Sequence, residues 1–145
     1  MIQNLAKALK IPDNEIPNIK FHIDDISIND IDLYKNMPFL PEFKLSYVGF
    51  KLNSLPIGYG KLVYIETGIT CFVGDFFDGG AHGKWVDIYY PNSKLCFEGE
   101  MCKGKFHGYG KIYHESGLLD TEGWFNKGLL TSKSVRVYNY NGSEV

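Results

Sequence analysis

The chain has 145 residues, with 15 basic and 17 acidic side chains and a formal net charge of −2 with neutral histidines. That length holds about one domain, which excludes a large catalytic module joined to a separate binding module. The near-neutral charge excludes a strongly basic nucleic-acid binder or a polybasic membrane-surface protein, while 44% hydrophobic and 15% aromatic residues are enough to build a core.

Taken from the start, residues 1–10 read as a short, weakly amphipathic helix with Ile2, Leu5, Ala6 and Leu9 on one face. The stretch lacks the Arg and Ser of an organellar presequence, and no apolar region follows the first lysines, so a docking helix is expected, with a mitochondrial address as the alternative. A Pro-punctuated extended segment follows. Ser27-Ile-Asn-Asp30 is a capping signal for a short helix over about residues 28–35. Phe39 and Phe43, among the prolines, are expected to be pinned onto the rest of the chain. Residues 1–46 contain four of the six prolines and none of the 16 glycines. A boundary is therefore placed at Tyr47, with 1–46 as an N-terminal arm or cap. The apolar stretches are all shorter than the ~18 residues a spanning helix needs. Three cysteines, Cys71, Cys96 and Cys102, with no CxxC pair make no disulfide framework and fit an intracellular setting.

From Tyr47 onward the chain is repetitive. Tyr47-Val-Gly49, Phe72-Val-Gly74 and Phe97-Glu-Gly99 follow at intervals of 25 residues, and Thr121-Glu-Gly123 follows after 24. Eleven residues after each aromatic come Gly58-Tyr-Gly60, Gly83-Lys-Trp85 and Gly108-Tyr-Gly110. Each unit reads as a hairpin: a strand through aromatic-x-Gly, a turn such as Lys103-Gly104-Lys105 or Asp78-Gly79-Gly80, a second strand, and a closing turn at Thr67-Gly68, Pro91-Asn92 or Ser116-Gly117. Glycine normally weakens a strand, so its recurrence predicts close approach, with an aromatic of a neighbouring strand lying flat over it. The expected fold is mainly β: an elongated antiparallel sheet of about four hairpins (about 47–70, 71–95, 96–119 and 120–145), each touching only its neighbours, with a mostly irregular N-terminal segment carrying short helices.

These units resemble the MORN repeat (membrane occupation and recognition nexus). The third matches without a gap, from Phe97-Glu-Gly99 through Lys103-Gly104 and His107-Gly-Tyr-Gly110 to Gly117. In the first, Ser54-Leu-Pro-Ile57 replaces the usual turn; in the second, Trp85 stands where a glycine is expected; the fourth keeps Gly123, Phe125 and Lys127-Gly128 and loses its second half. The resemblance covers about residues 45–142. It implies a twisted sheet with one aromatic-lined face and a non-catalytic role as an interaction or scaffold subunit of a larger assembly. A cytoplasmic, ciliary or cytoskeletal place follows from it, with protein partners and no nucleic acid. The alternative it carries is a phospholipid-binding tether on a membrane, acting through Lys103, Lys105 and Lys111. A homodimer through the sheets stays open.

The two Gly-Tyr-Gly-Lys runs, at Gly58 to Lys61 and Gly108 to Lys111, lack the following helix that a phosphate loop needs. His82 and His107 at one repeat position lie two strands apart, about 9.5 Å, too far to share a zinc ligated at ~2 Å. They are expected to bond local backbone, and no metal or cofactor is expected. The same spacing separates Cys71 from Cys96. His114-Glu115-Ser116 with Asp120 holds the atoms of a catalytic triad on one turn, which builds no pocket, so no catalytic residue is expected. The aromatics remain. Tyr47, Gly49, Phe72, Gly74, Phe97, Gly99 and Gly123 are expected to hold the repeats together. Tyr64, Phe76, Trp85, Tyr89, Met101, Trp124 and Phe125 are expected on a partner-binding face, since one sheet layer cannot bury both its sides.

Overall fold

The computed structural model describes residues 7, 10–26, 43–77, 80–131, 136–137, 141 and 143–144. The helix expected over 28–35, the pinned Phe39, the Asp78-Gly79 turn and most of the first expected helix lie outside these residues. Among the described residues eleven strands form one antiparallel sheet. Its order is β1 (Ile19–Ile26), β2 (Leu45–Leu52), β3 (Leu55–Tyr64), β4 (Thr70–Phe77), β6 (Gly83–Tyr89), β7 (Leu95–Cys102), β8 (Lys105–Tyr113), β9 (Leu119–Asn126) and β10 (Leu129–Leu130). Two short strands complete it: β5 (Gly80–Ala81) pairs with β4, and β11 (Arg136–Val137) pairs with β9. The sheet is open, as the repeat reading predicts. No described helix is long and apolar enough to cross a membrane.

The arm contributes more to the sheet than the sequence suggested. After a 3-10 helix at Asp13–Asn18, β1 pairs along its whole length with β2, from Ile19 opposite Leu52 to Ile26 opposite Leu45. It covers the edge that the first hairpin would otherwise expose. Phe43 meets Tyr64 edge-on, with ring centroids 5.3 Å apart.

The tight turns explain the hairpin register. Leu52 pairs with Leu55, Cys102 with Lys105 and Asn126 with Leu129. The two residues between each pair both have positive φ: Asn53 and Ser54, Lys103 and Gly104, Lys127 and Gly128. Two successive positive φ values give the turn whose twist suits a two-residue hairpin. The first repeat therefore turns at Asn53-Ser54, one residue before the Ser54-Leu-Pro-Ile57 stretch that the repeat alignment singled out.

Alternation then divides the sheet into two faces. One face is packed: Leu45, Tyr47, Leu62, Phe72, Phe76, Val86, Ile88, Phe97, Met101, Phe106 and Phe125 form the core, none more than 6% exposed. The glycines explain how one layer buries such large rings. A Cβ on Gly49 or Gly60 would meet the Tyr47 ring at 2.8 and 3.0 Å, and one on Gly110 would meet Phe97 at 2.7 Å. Each ring thus lies along the sheet over a glycine pair, Gly49 opposite Gly60 and Gly99 opposite Gly110. Over Gly60 and Gly110 the aromatic comes from the neighbouring strand, as expected, and the same ring also covers Gly49 or Gly99, two residues later on its own strand. Tyr47 is further fixed by its hydroxyl, which donates to the Phe50 carbonyl at 2.6 Å. The next repeat then closes over it: Phe76 meets Tyr47 edge-on at 5.3 Å, and Phe125 meets Phe97 at 6.3 Å and Phe106 at 5.4 Å.

Candidate interaction face

The register shows where each candidate lies. Bulges shift it on β4 between Phe72 and Thr70, on β7 between Phe97 and Leu95, and on β9 between Thr121 and Leu119. The extra residues are Cys71, Cys96 and Asp120, so these three are equivalent. Each faces the residue that opens its closing turn. Tyr64 shares a hydrogen bond with Cys71 and Tyr90 with Cys96, while His114 Nδ1 lies 3.4 Å from Asp120 Oδ2. His114 and Asp120 are the third copy of a repeat contact, and the Ser116 hydroxyl accepts the Leu118 N–H in the same turn. The tyrosines also tie repeat to repeat. Tyr64 donates to the Tyr89 carbonyl and Tyr90 to the Tyr113 carbonyl, both at 2.6 Å. Tyr90, not Tyr89, is therefore the counterpart of Tyr64, and the expected Tyr64–Tyr89 row is corrected. Burial pushes the Cys71 thiol up to about 12, although its bond with Tyr64 pulls the other way, and burial pushes Cys96 up to about 11.

The same shift corrects the place of Trp85. Leu62 and Ile88 both pair with a strand-opening Phe, Leu62 with Phe72 and Ile88 with Phe97. Counting back from them, Val86 stands at the position of Gly60, and Trp85 at the position of Tyr59. Val86 packs against Gly74, where a Cβ would meet its Cγ1 at 2.6 Å. In the third repeat the equivalent pair is Gly110 and Tyr109. Trp85 thus continues an aromatic position and does not interrupt a glycine one.

Four of the residues expected on a partner-binding face, Tyr64, Phe76, Met101 and Phe125, are buried in the core, and their place on that face does not hold. They share strand parity with the glycine rows, so they point inward. Trp85, Tyr89 and Trp124 lie on the opposite, open face. There they join residues that the glycine-based alignment missed. Tyr59, Trp85, Tyr109 and Trp124 are 67%, 56%, 36% and 40% exposed. Tyr59 is opposite Asp75, and Tyr109 is opposite Trp124, their rings 5.6 Å apart. Trp85 lies between the pairs Gly83–Met101 and Val86–Gly99, alongside Glu100.

A second row runs beside the aromatics without a break: Val48, Lys61, Val73, Asp87, Glu98, Lys111 and Glu122, each opposite the next. Its centre sets two carboxylates against each other, Asp87 opposite Glu98. Burial, then the Glu98 charge, holds the Asp87 carboxyl above its usual range, and its hydrogen bond with Trp85 acts in the opposite sense. Tyr113 donates to Glu98 Oε1 at 2.9 Å and Tyr109 to Glu122 Oε2 at 2.8 Å. A shallow depression of about 380 Å³ on this face is lined by Ile69, Thr70, Val73, Tyr89 and Ser93.

The remaining candidates do not gather. His82 Nδ1 accepts the Lys103 N–H at 3.4 Å, a backbone contact to the next repeat's turn. Among the described residues no three His, Cys, Asp or Glu side chains are grouped so as to hold a metal ion. Cys71, Cys96 and Cys102 form no disulfide. Lys103 and Lys105 sit at the β7–β8 turn, whereas Lys111 lies in the charged row between Glu98 and Glu122. A scan against protein-family models finds no match, and a search of the curated proteins finds none.

Proposed function

We propose that this protein is a non-catalytic interaction module of the MORN-repeat type, a subunit or scaffold in a larger protein assembly of the ciliary or cytoskeletal kind. The observation that carries the reading is the division of one sheet into two unlike faces. The inner face carries the buried core rings, which lie over the glycine pairs. The outer face leaves Tyr59, Trp85, Tyr109 and Trp124 exposed in a row, and contiguous exposed aromatics of this kind mark protein-binding surfaces. The lipid-tether reading loses support, because anionic headgroups call for lysines together and Lys103, Lys105 and Lys111 are divided between a turn and an acidic row.

The test is tagged purification from the native cells, with co-purifying proteins identified by mass spectrometry, for the wild type and for Trp85→Ala/Tyr109→Ala. The reading expects a defined set of proteins with the wild type and its loss with the double variant, at an unchanged unfolding midpoint. An identical set with both proteins would overturn it.

A further inference from the structure

The outer face repeats itself at a distance that favours one kind of ligand. Tyr59 lies on β3, Trp85 on β6 and Tyr109 on β8, with β4 and β7 intervening. Successive rings are therefore two strands apart, about 9.5 Å. A polyproline II helix repeats every three residues at 3.1 Å each, about 9.3 Å per turn. One of its edges, laid across the strands, meets each ring in turn. An α-helix presents residues seven apart at about 10.5 Å and falls out of step by about 1 Å per repeat. Aromatic-lined grooves are the surfaces on which proline-rich segments dock, because the ligand is already extended and loses little entropy.

Charge selects among such segments. Asp75, Asp87, Glu98, Glu100 and Glu122 share this face with Lys61, Lys105 and Lys111, so acidic groups are in excess. Like charges directly opposite in a sheet destabilise it, and Asp87 and Glu98 are so placed at the middle of the row. Both are held by ring neighbours, Asp87 by Trp85 and Glu98 by Tyr113. A guanidinium or ammonium seated between them would relieve that repulsion while its stem lies on Tyr89 or Trp85.

We infer that the outer face docks a proline-rich, basic segment of a partner protein in the polyproline II conformation, its prolines on the Tyr59–Trp85–Tyr109 row and an Arg or Lys between Asp87 and Glu98. This rests on the interaction reading above and names the chemistry of its partner.

The test uses synthetic peptides on the full chain, followed by the fluorescence of its two tryptophans. The probe is (Pro-Pro-Arg)4, with (Pro-Pro-Glu)4 and the flexible, equally charged (Gly-Ser-Arg)4 as comparators. The expected result is saturable binding of (Pro-Pro-Arg)4, at least tenfold tighter than either comparator. It should weaken at least tenfold in Trp85→Ala/Tyr109→Ala and in Asp87→Asn/Glu98→Gln. The second pair keeps side-chain size and relieves the repulsion, so a folding defect does not obscure the result; unfolding midpoints of all variants are measured alongside. Equal affinity for (Gly-Ser-Arg)4 would overturn the inference, leaving charge alone, and so would failure of (Pro-Pro-Arg)4 to bind. If the peptide fails while Trp85→Ala/Tyr109→Ala still sheds its co-purifying proteins, the inference falls and the interaction reading stands. If that variant keeps them all, the reading falls with it.

Discussion

At the scale of the residue, the fold depends on rings that occupy the space of missing side chains. Phe97 is fully buried and stacked on Phe106 at 3.9 Å, so it has nowhere to move. Gly110→Ala would place a methyl 2.7 Å from its Cε1. Overpacking of that kind costs about 1–3 kcal/mol, and the denaturant midpoint should fall accordingly. The cysteines give a second expectation. Cys71 and Cys96 are buried, and burial lifts their thiols from 9.0 to about 12 and about 11. In the native protein Cys102, which is partly exposed, should react with a thiol reagent first, the other two only after unfolding. The same groups set an alkaline limit. A thiol whose folded value is raised contributes stability that is present below pH 9 and is lost as pH climbs toward 11–12, because the unfolded chain ionises first. For Cys71 the loss is on the order of 4 kcal/mol. The buried hydroxyls of Tyr64 and Tyr90 are raised as well, so they add to it. Chemical unfolding at pH 8 and pH 10.5 measures the fall; equal stability at both would contradict the buried placement of these groups.

At the scale of the element, strand and turn were legible because their signals are local. Gly in positive φ at Gly104 and Gly128, and alternation through Tyr47-Val-Gly49, need no knowledge of the rest of the chain. The faces were less legible. The 25-residue spacing of Phe72, Phe97 and their glycines aligned His82-Gly83 with His107-Gly108, which put Trp85 on a glycine. The added residue between Gly83 and Val86 moves the second strand of that repeat by one position, and one position in a strand exchanges the faces. Aligning instead on Leu62, Ile88 and Ile112 would have placed Tyr59, Trp85 and Tyr109 in register. Phe76 and Phe125 face inward, against the expectation from a one-layer sheet, because the glycine pairs beneath Tyr47 and Phe97 make room for the rings. The pairing of β1 with β2 was also hidden, since Ile19–Ile26 carries no repeat signal and its register is set by a partner about 26 residues away. Its role leads to a prediction. Removing residues 1–26 would uncover the hydrogen-bonding edge of β2, and exposed edges recruit further strands. The truncated protein should self-associate in sedimentation at concentrations where the full chain does not; a stable truncated monomer would show that β1 does not protect the edge.

At the scale of the whole molecule, the sheet is a ledger of contacts between neighbouring hairpins. Tyr64 reaches the carbonyl of Tyr89, Tyr90 that of Tyr113, and Asn92 Nδ2 that of Glu115. Each repeat is thereby held by the next, as expected of a quasi-one-dimensional array. The stability of the array resides in the inner face, which leaves the outer face free to vary for recognition. Sequence composition fits this division: both tryptophans of the chain, Trp85 and Trp124, lie on the outer face.

That placement makes tryptophan fluorescence, with acrylamide as quencher, the measurement that reads the division into faces most directly. In the isolated protein both indoles should be readily quenched while the inner face remains folded. In the complex recovered from native cells they should be shielded and their emission shifted to the blue. Indoles protected in the isolated protein would contradict the division into faces, and indoles equally quenched in the complex would contradict the outer face as the surface of recognition.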